Sequence, residues 1–215
     1  MDLVEFFTSN FGEVLFKTRQ HFVLVAVSSG IATAIGVPMG IAVVKWKTLR
    51  GPILGLANVL QTIPSLALFG FLIPLPFIGG IGARTAIVAL IVYGLLPIVR
   101  NTYTGITGVD PAVKDAAVGM GMTSSQLLWL VELPLALPIM VAGIRIATVI
   151  GVGVATIAAL IGAGGLGDFI FRGVSMVDNT VILAGAIPAA LMALTADGAL
   201  HLVEKRLDWR GRGRA

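Results

Sequence analysis

The 215-residue sequence predicts an all-α membrane protein with five transmembrane helices, and three observations carry that prediction. Its residues are 57% hydrophobic and only 12% charged, whereas a water-soluble domain needs about 25% charged residues to cover its core. The apolar residues gather into five runs, at about 22–44, 52–73, 83–103, 136–160 and 180–203. Each is long enough for a bilayer core of about 30 Å, which takes about 20 apolar residues per helix. The runs are continuous instead of alternating, which argues against a transmembrane β-barrel.

Composition also removes whole classes of function. With no Cys, the chain cannot be a disulfide scaffold or use a thiol as ligand or nucleophile. The net charge of +4 does not point to nucleic acid, because the cations cluster in short segments between apolar runs, as topology determinants do. No Ser lies in a G-x-S-x-G context, and His21 and His201 sit at opposite span ends with nothing to suggest a metal site.

In chain order, residues 1–21 are expected at the outer interface, since 3–16 mixes Phe and Leu with acids. Asp2, Glu5 and Glu13 stand where a signal peptide would have cations, so the chain is expected to be mature throughout. Gly36-x-x-x-Gly40 and Gly51-x-x-x-Gly55 offer surfaces for close helix packing. Pro38, Pro64, Pro97 and Pro188 fall inside spans and remove backbone donors that neighbours must replace. Around Pro64, the residues Gln61, Thr62 and Ser65 make a polar kink that fits either packing or a break lining a pore.

The connection 104–135 is far longer than a turn requires. Asp110-Pro111 supplies a helix cap and first residue, Ala112 to Val118 continue that helix, and Gly119 and Gly121 stop it. Thr123 with Gln126 forms a capping box for a second short helix, expected to end at Pro134. Beyond the fourth span, Gly162, Gly164, Gly165 and Gly167 fit G-x-G-x-x-G, yet they follow a membrane-length run and not a short strand, so dinucleotide binding is excluded. Such a backbone suits a gate, a contact with an external partner, or a plain turn, with Asp168 and Arg172 pairing with that partner or solvating the loop.

Two ionisable residues lie inside spans. At 1.5 Å per residue, Arg145 sits about 13 Å and Asp197 about 9 Å from the cytoplasmic ends of their helices. The matching depths suggest an ion pair locking the fourth and fifth spans, against Arg145 snorkelling alone. Orientation follows from the other cations. Lys45, Lys47, Arg50, Arg100, Lys114, Lys205, Arg206, Arg210, Arg212 and Arg214 gather on one side, and only Lys17, Arg19, Arg84 and Arg172 on the other. The first side is cytoplasmic, so the N-terminus is outside, and the C-terminus with its basic tail 206–215 is inside. Trp46, Trp129 and Trp209 share that side, compatible with an interfacial belt.

Asp115-Ala116-Ala117, three residues, Gly121, nine residues, then Val131-Glu132-Leu133-Pro134 resembles the EAA motif of ABC importer permeases, with Asp for Glu and Val for Ile. Segments 61–74, 93–106 and 155–167 are similar to the osmoprotectant branch of that family, and the likeness runs over about 22–205. The resemblance implies a type I ABC importer permease fold in a bacterial cytoplasmic membrane, with domain 22–205 forming the pathway for glycine betaine, choline or carnitine. Methionine or another zwitterion is the alternative cargo.

The same resemblance implies that the first short helix seats on a separate ATPase subunit, with small Ala116 and Ala117 letting it lie deep. ATP-Mg is then bound by that partner, consistent with the lack of G-x-x-x-x-G-K-[ST] here. A substrate-binding protein and a second permease subunit, identical or similar, complete the machine. Tyr93, Tyr103 and Phe77 are candidates for cation–π contact with a quaternary amine. A transporter working alone would show internal repeats or a relay of buried acids, and an intramembrane enzyme a catalytic constellation; neither is present.

Overall fold

The structure is a computed structural model that describes residues 2–208, so Trp209, Arg210, Arg212 and Arg214 of the predicted tail lie outside it. Every regular element among the described residues is helical: α1 (Leu3–Ser9), α2 (Phe11–Lys45), α3 (Lys47–Thr62), α4 (Ser65–Leu72), α5 (Ala83–Thr107), α6 (Pro111–Gly119), α7 (Ser124–Leu127), a π-turn (Leu128–Glu132), α8 (Leu133–Ile157), a 3-10 turn (Ala158–Ile161), α9 (Gly167–Met176) and α10 (Asn179–Leu207).

Among the described residues four helical stretches are long and apolar enough to cross a bilayer, namely α2, α5, the run Ser124–Ile161 and α10. The second predicted span differs. Residues 52–73 are not one straight helix: α3 and α4 meet at 104°. The cause is local, because the Pro64 ring pushes Ile63 out of the helical region to φ −71°, ψ 124°, and Pro64 itself is extended. The first predicted span is longer than expected, since α2 begins at Phe11 with no break at residue 22. α9 occupies the segment between the fourth and fifth spans, where the sequence predicts no helix.

α2, α5 and α8 form the central layer, and α10 packs on α8 and α9. Small residues set the separation of these helices. A Cβ on Gly40 would lie 2.5 Å from that of Thr102, and one on Gly36 would lie 2.8 Å from Cγ2 of Ile98, so this pair brings α2 onto α5. Gly51 and Gly55 face open space instead, so that second small-residue pair is not a packing face within this chain. Around the contact of α2, α5 and α8, a core of Leu24, Val25, Phe69, Leu90, Val152 and Ala155 carries the bend of α4 against it.

Candidate functional site

The platform between α5 and α8 is held by its own caps. Asp110 accepts a hydrogen bond from the Ala112 N–H at 2.9 Å with Pro111 in the first turn, as the sequence predicts. The exit of α6 closes as a Schellman motif: Gly121 N–H donates to Val118 C=O and Met122 N–H to Ala117 C=O. Gly121 sits at φ +85°, so its conformation requires glycine although nothing crowds it. Thr123 and Gln126 complete the capping box of α7.

The second short helix does not stop at Pro134. It runs through the π-turn into α8, where Leu133 N–H reaches back five residues to Leu128 C=O. Proline clashes with the carbonyl four residues before it, and the wider turn gives that ring room inside a continuous helix. Leu133 then enters a core with Ile106, Ala136 and Met140, while Val131 and Pro134 are half-buried. One side chain ties the parts together: Lys114 Nζ lies 2.9 Å from Glu132 Oε1 and donates to Ile106 C=O at 3.1 Å.

Asp115 and Ala116 lie on the exposed face of α6, but Ala117 is only 2% exposed. Its small size is therefore used inside this chain. Val118, Met120, Trp129 and Leu130 add an exposed apolar rim to the platform.

At the bend, Gln61 and Tyr93 exchange hydrogen bonds between α3 and α5. Pro97 cannot donate to the Tyr93 carbonyl one turn earlier, and Gln61 Nε2 does so at 2.9 Å. Tyr93 in return donates its hydroxyl to the Ile63 carbonyl at the Pro64 break. Thr62 Oγ1 donates to Val59 C=O, and Ser65 starts α4 without a side-chain cap. Beside Gln61 a cleft of about 490 Å³ opens between α3, α5 and α8, holding Arg100, Asn101 and Thr104. Of the aromatic candidates, Tyr93 is buried with its hydroxyl engaged, Tyr103 carries the Arg50 guanidinium 4.8 Å from its ring centre, and Phe77 is almost fully exposed in the 73–82 connection.

The glycine segment is closely approached on every side. Gly165 N–H donates to Gln20 Oε1 at 3.0 Å and Leu166 N–H to His21 Nδ1 at 3.3 Å, while His21 Nε2 lies 3.1 Å from Val152 C=O. His21 is fully buried, and this pattern fixes its proton on Nε2. Gly162, Gly164 and Gly165 have φ of +73°, +76° and +86°; at Gly164 a Cβ would strike the Gln20 amide, and at Gly167 it would strike the Thr156 carbonyl. Asp168 pairs with Lys17, and Arg172 with Glu13 at 3.1 Å, so both residues are engaged inside the chain.

Arg145 Nη1 lies 3.2 Å from Asp197 Oδ1 across α8 and α10, and its Nε is 3.3 Å from Glu204 Oε2. The second contact is off the hydrogen-bond direction. His201 adds a ring nitrogen 3.7 Å from Glu204, making a cluster on one face of α10. Sequence reasoning missed Glu13, Lys17, Gln20, His21, Lys114, Glu132 and Glu204 as partners. Only the i, i+4, i+7 spacing of Asp197, His201 and Glu204 on one helix could have flagged any of them. Among the described residues no group of three or more metal-binding side chains occurs.

Comparison with known proteins follows the same outline. Residues 32–209 match the family described as binding-protein-dependent transport system inner membrane component. The osmoprotectant import permease protein OsmW of Salmonella typhimurium is 46% identical over 98% of this chain and 99% of its own length. The choline transport system permease protein OpuBB of Bacillus subtilis is 42% identical over 97% of this chain and 95% of its own. Among solved structures, inward-facing MetNI methionine ABC transporter superposes with a TM-score of 0.83 at 22% identity, over 93% of this chain and 98% of that one. That last likeness establishes the fold.

Proposed function

Because this chain belongs to the family of binding-protein-dependent transport system inner membrane components, we propose that it is the membrane subunit of an ATP-driven importer for quaternary-amine osmoprotectants such as glycine betaine, choline and carnitine. The observation that carries the cargo is the full-length identity above 40% to permeases named for those solutes. Methionine finds no comparable support. The chain is a permease component and not an enzyme; ATP-Mg belongs to a separate ATPase.

The chain crosses a bacterial cytoplasmic membrane five times, the second time through the bent pair α3–α4, with its N-terminus outside and the basic tail 206–215 inside. A second permease subunit closes the pathway, an external binding protein delivers cargo, and the ATPase docks on the platform 110–134 through Asp115, Ala116 and the exposed rim at Val118 and Met120. ATP binding then biases an equilibrium between two access states. Motion of α6 reaches the membrane through Lys114, which grips the end of α5 and Glu132, and through Leu133 in the core. The bend at Gln61, Thr62, Pro64 and Ser65 and the segment Gly162 to Gly167 are the parts of the pathway that re-expose it.

The test reconstitutes the permease with its cognate ATPase and binding protein in proteoliposomes. ATP-dependent uptake of labelled glycine betaine or choline is expected, and none without the ATPase. Uptake by the permease alone, or methionine as the only cargo, overturns the proposal.

A further inference from the structure

The cleft between α3, α5 and α8 contains a guanidinium that no described residue neutralises. Arg100 lies on α5 two turns before its end, exposed, and among the described residues no acid or hydrogen-bond acceptor pairs with it. Arg145, on α8, has two carboxylates beside it. Near the cytoplasmic end of its span, Arg100 opens into a cleft of about 490 Å³ whose walls differ. Gln61, Asn101 and Thr104 form the polar side, and Leu96, Ile146 and Ile150 the apolar side. The Gln61 and Asn101 amides each spend a hydrogen on a proline-related carbonyl, at Tyr93 and Pro97, so both are fixed in place.

We propose that Arg100 is a carboxylate station in the translocation pathway, taking small zwitterions by their carboxylate while the apolar wall meets their methylated ammonium end. A planar guanidinium offers two parallel donors to a carboxylate. No acid is among its described lining residues, and choline, which lacks a carboxylate, passes without using the Arg100 contact. The station therefore acts on betaine-type cargo and leaves choline passage unaffected. It rests on the import reading above.

The test uses the full complex of permease, ATPase and loaded binding protein in proteoliposomes, with Arg100→Gln and Arg100→Lys. In Arg100→Gln, glycine betaine uptake falls about tenfold, the loss of one charged contact, while receptor-stimulated ATP hydrolysis stays within about twofold. Arg100→Lys recovers much of the uptake, and choline uptake, where the complex supports it, does not fall. Hydrolysis falling together with uptake would make Arg100 a structural or ATPase-contacting residue and overturn the station. An equal fall for choline, or unchanged betaine uptake, overturns it as well. If the wild-type complex imports no quaternary amine, the import reading fails first. The same variants are then measured with the cargo it does carry, and a cargo without a carboxylate rules the station out.

Discussion

Lys114 is where the platform can be cut free without touching its surface. Its ammonium group is shared between Glu132 at 2.9 Å and the Ile106 carbonyl at 3.1 Å, with the two side chains 24% and 13% exposed. Removing one partner from a fully buried ion pair costs about 3–5 kcal/mol, and from a fully exposed one about 0–1. This pair lies between those limits, so Lys114→Met should cost the local fold about 2 kcal/mol, an increase of about thirtyfold in platform opening. Hydrogen exchange over residues 111–134 reads that opening directly, and ATP-driven uptake in the same complex reads its consequence. Exchange should accelerate and uptake should fall, with insertion and the spans unaffected. Adding Glu132→Met removes the stranded carboxylate and should restore part of the protection. Unchanged exchange in Lys114→Met, or faster exchange with normal uptake, would refute the view that this side chain transmits force from α6.

Three further outcomes are expected. Ala116→Arg, on the exposed face of α6, should abolish co-purification with the ATPase while leaving thermal stability intact, whereas Ala117→Arg should lower stability because that residue is buried within the chain. Gly165→Ala forces a side chain into φ +86° and 3.0 Å from His21 Nδ1; a cost of about 1–3 kcal/mol should lower the melting temperature in detergent by several degrees. Arg145→Glu should impair assembly and Asp197→Arg added to it should restore much of it, measured as the monodisperse fraction on gel filtration; no rescue would mean that Glu204 is the partner that matters.

What the sequence disclosed depended on the range of the interaction. Caps are local, so Asp110, Thr123 and Gln126 were legible from neighbours three residues away. Apolar length disclosed the spans for the same reason. The bend was visible as Pro64 among polar residues, but its angle was not, because a proline fixes where a helix breaks while the 104° turn is set by α4 packing on the distant core. Pro134 was misleading because the π-turn that accommodates it depends on Leu133 being held in a tertiary cluster. The partners of the glycine segment lie about 145 residues away in sequence, at Gln20 and His21, and no local pattern could have named them. Arg145 and Asp197 were within reach because a charge in an apolar run demands a partner at similar depth, and few candidates exist.

The same contrast bears on how the proposed machine can move. Near the N-terminus α2 clamps α9 and its glycine lead-in through Glu13, Lys17, Gln20 and His21. At the opposite end Lys114 grips the last turn of α5. Between them α5 is one helix whose single missing bond, at Pro97, is replaced by Gln61, and at 1.5 Å per residue Ile106 and Tyr93 are about 20 Å apart on it. Arg100 and the Tyr93 bond to the bend ride on that helix. A displacement entering at α6 therefore arrives at the cleft and at the α3–α4 break together, without any second route through α4. Softening α5 itself should then uncouple ATP hydrolysis from transport more completely than loosening either clamp.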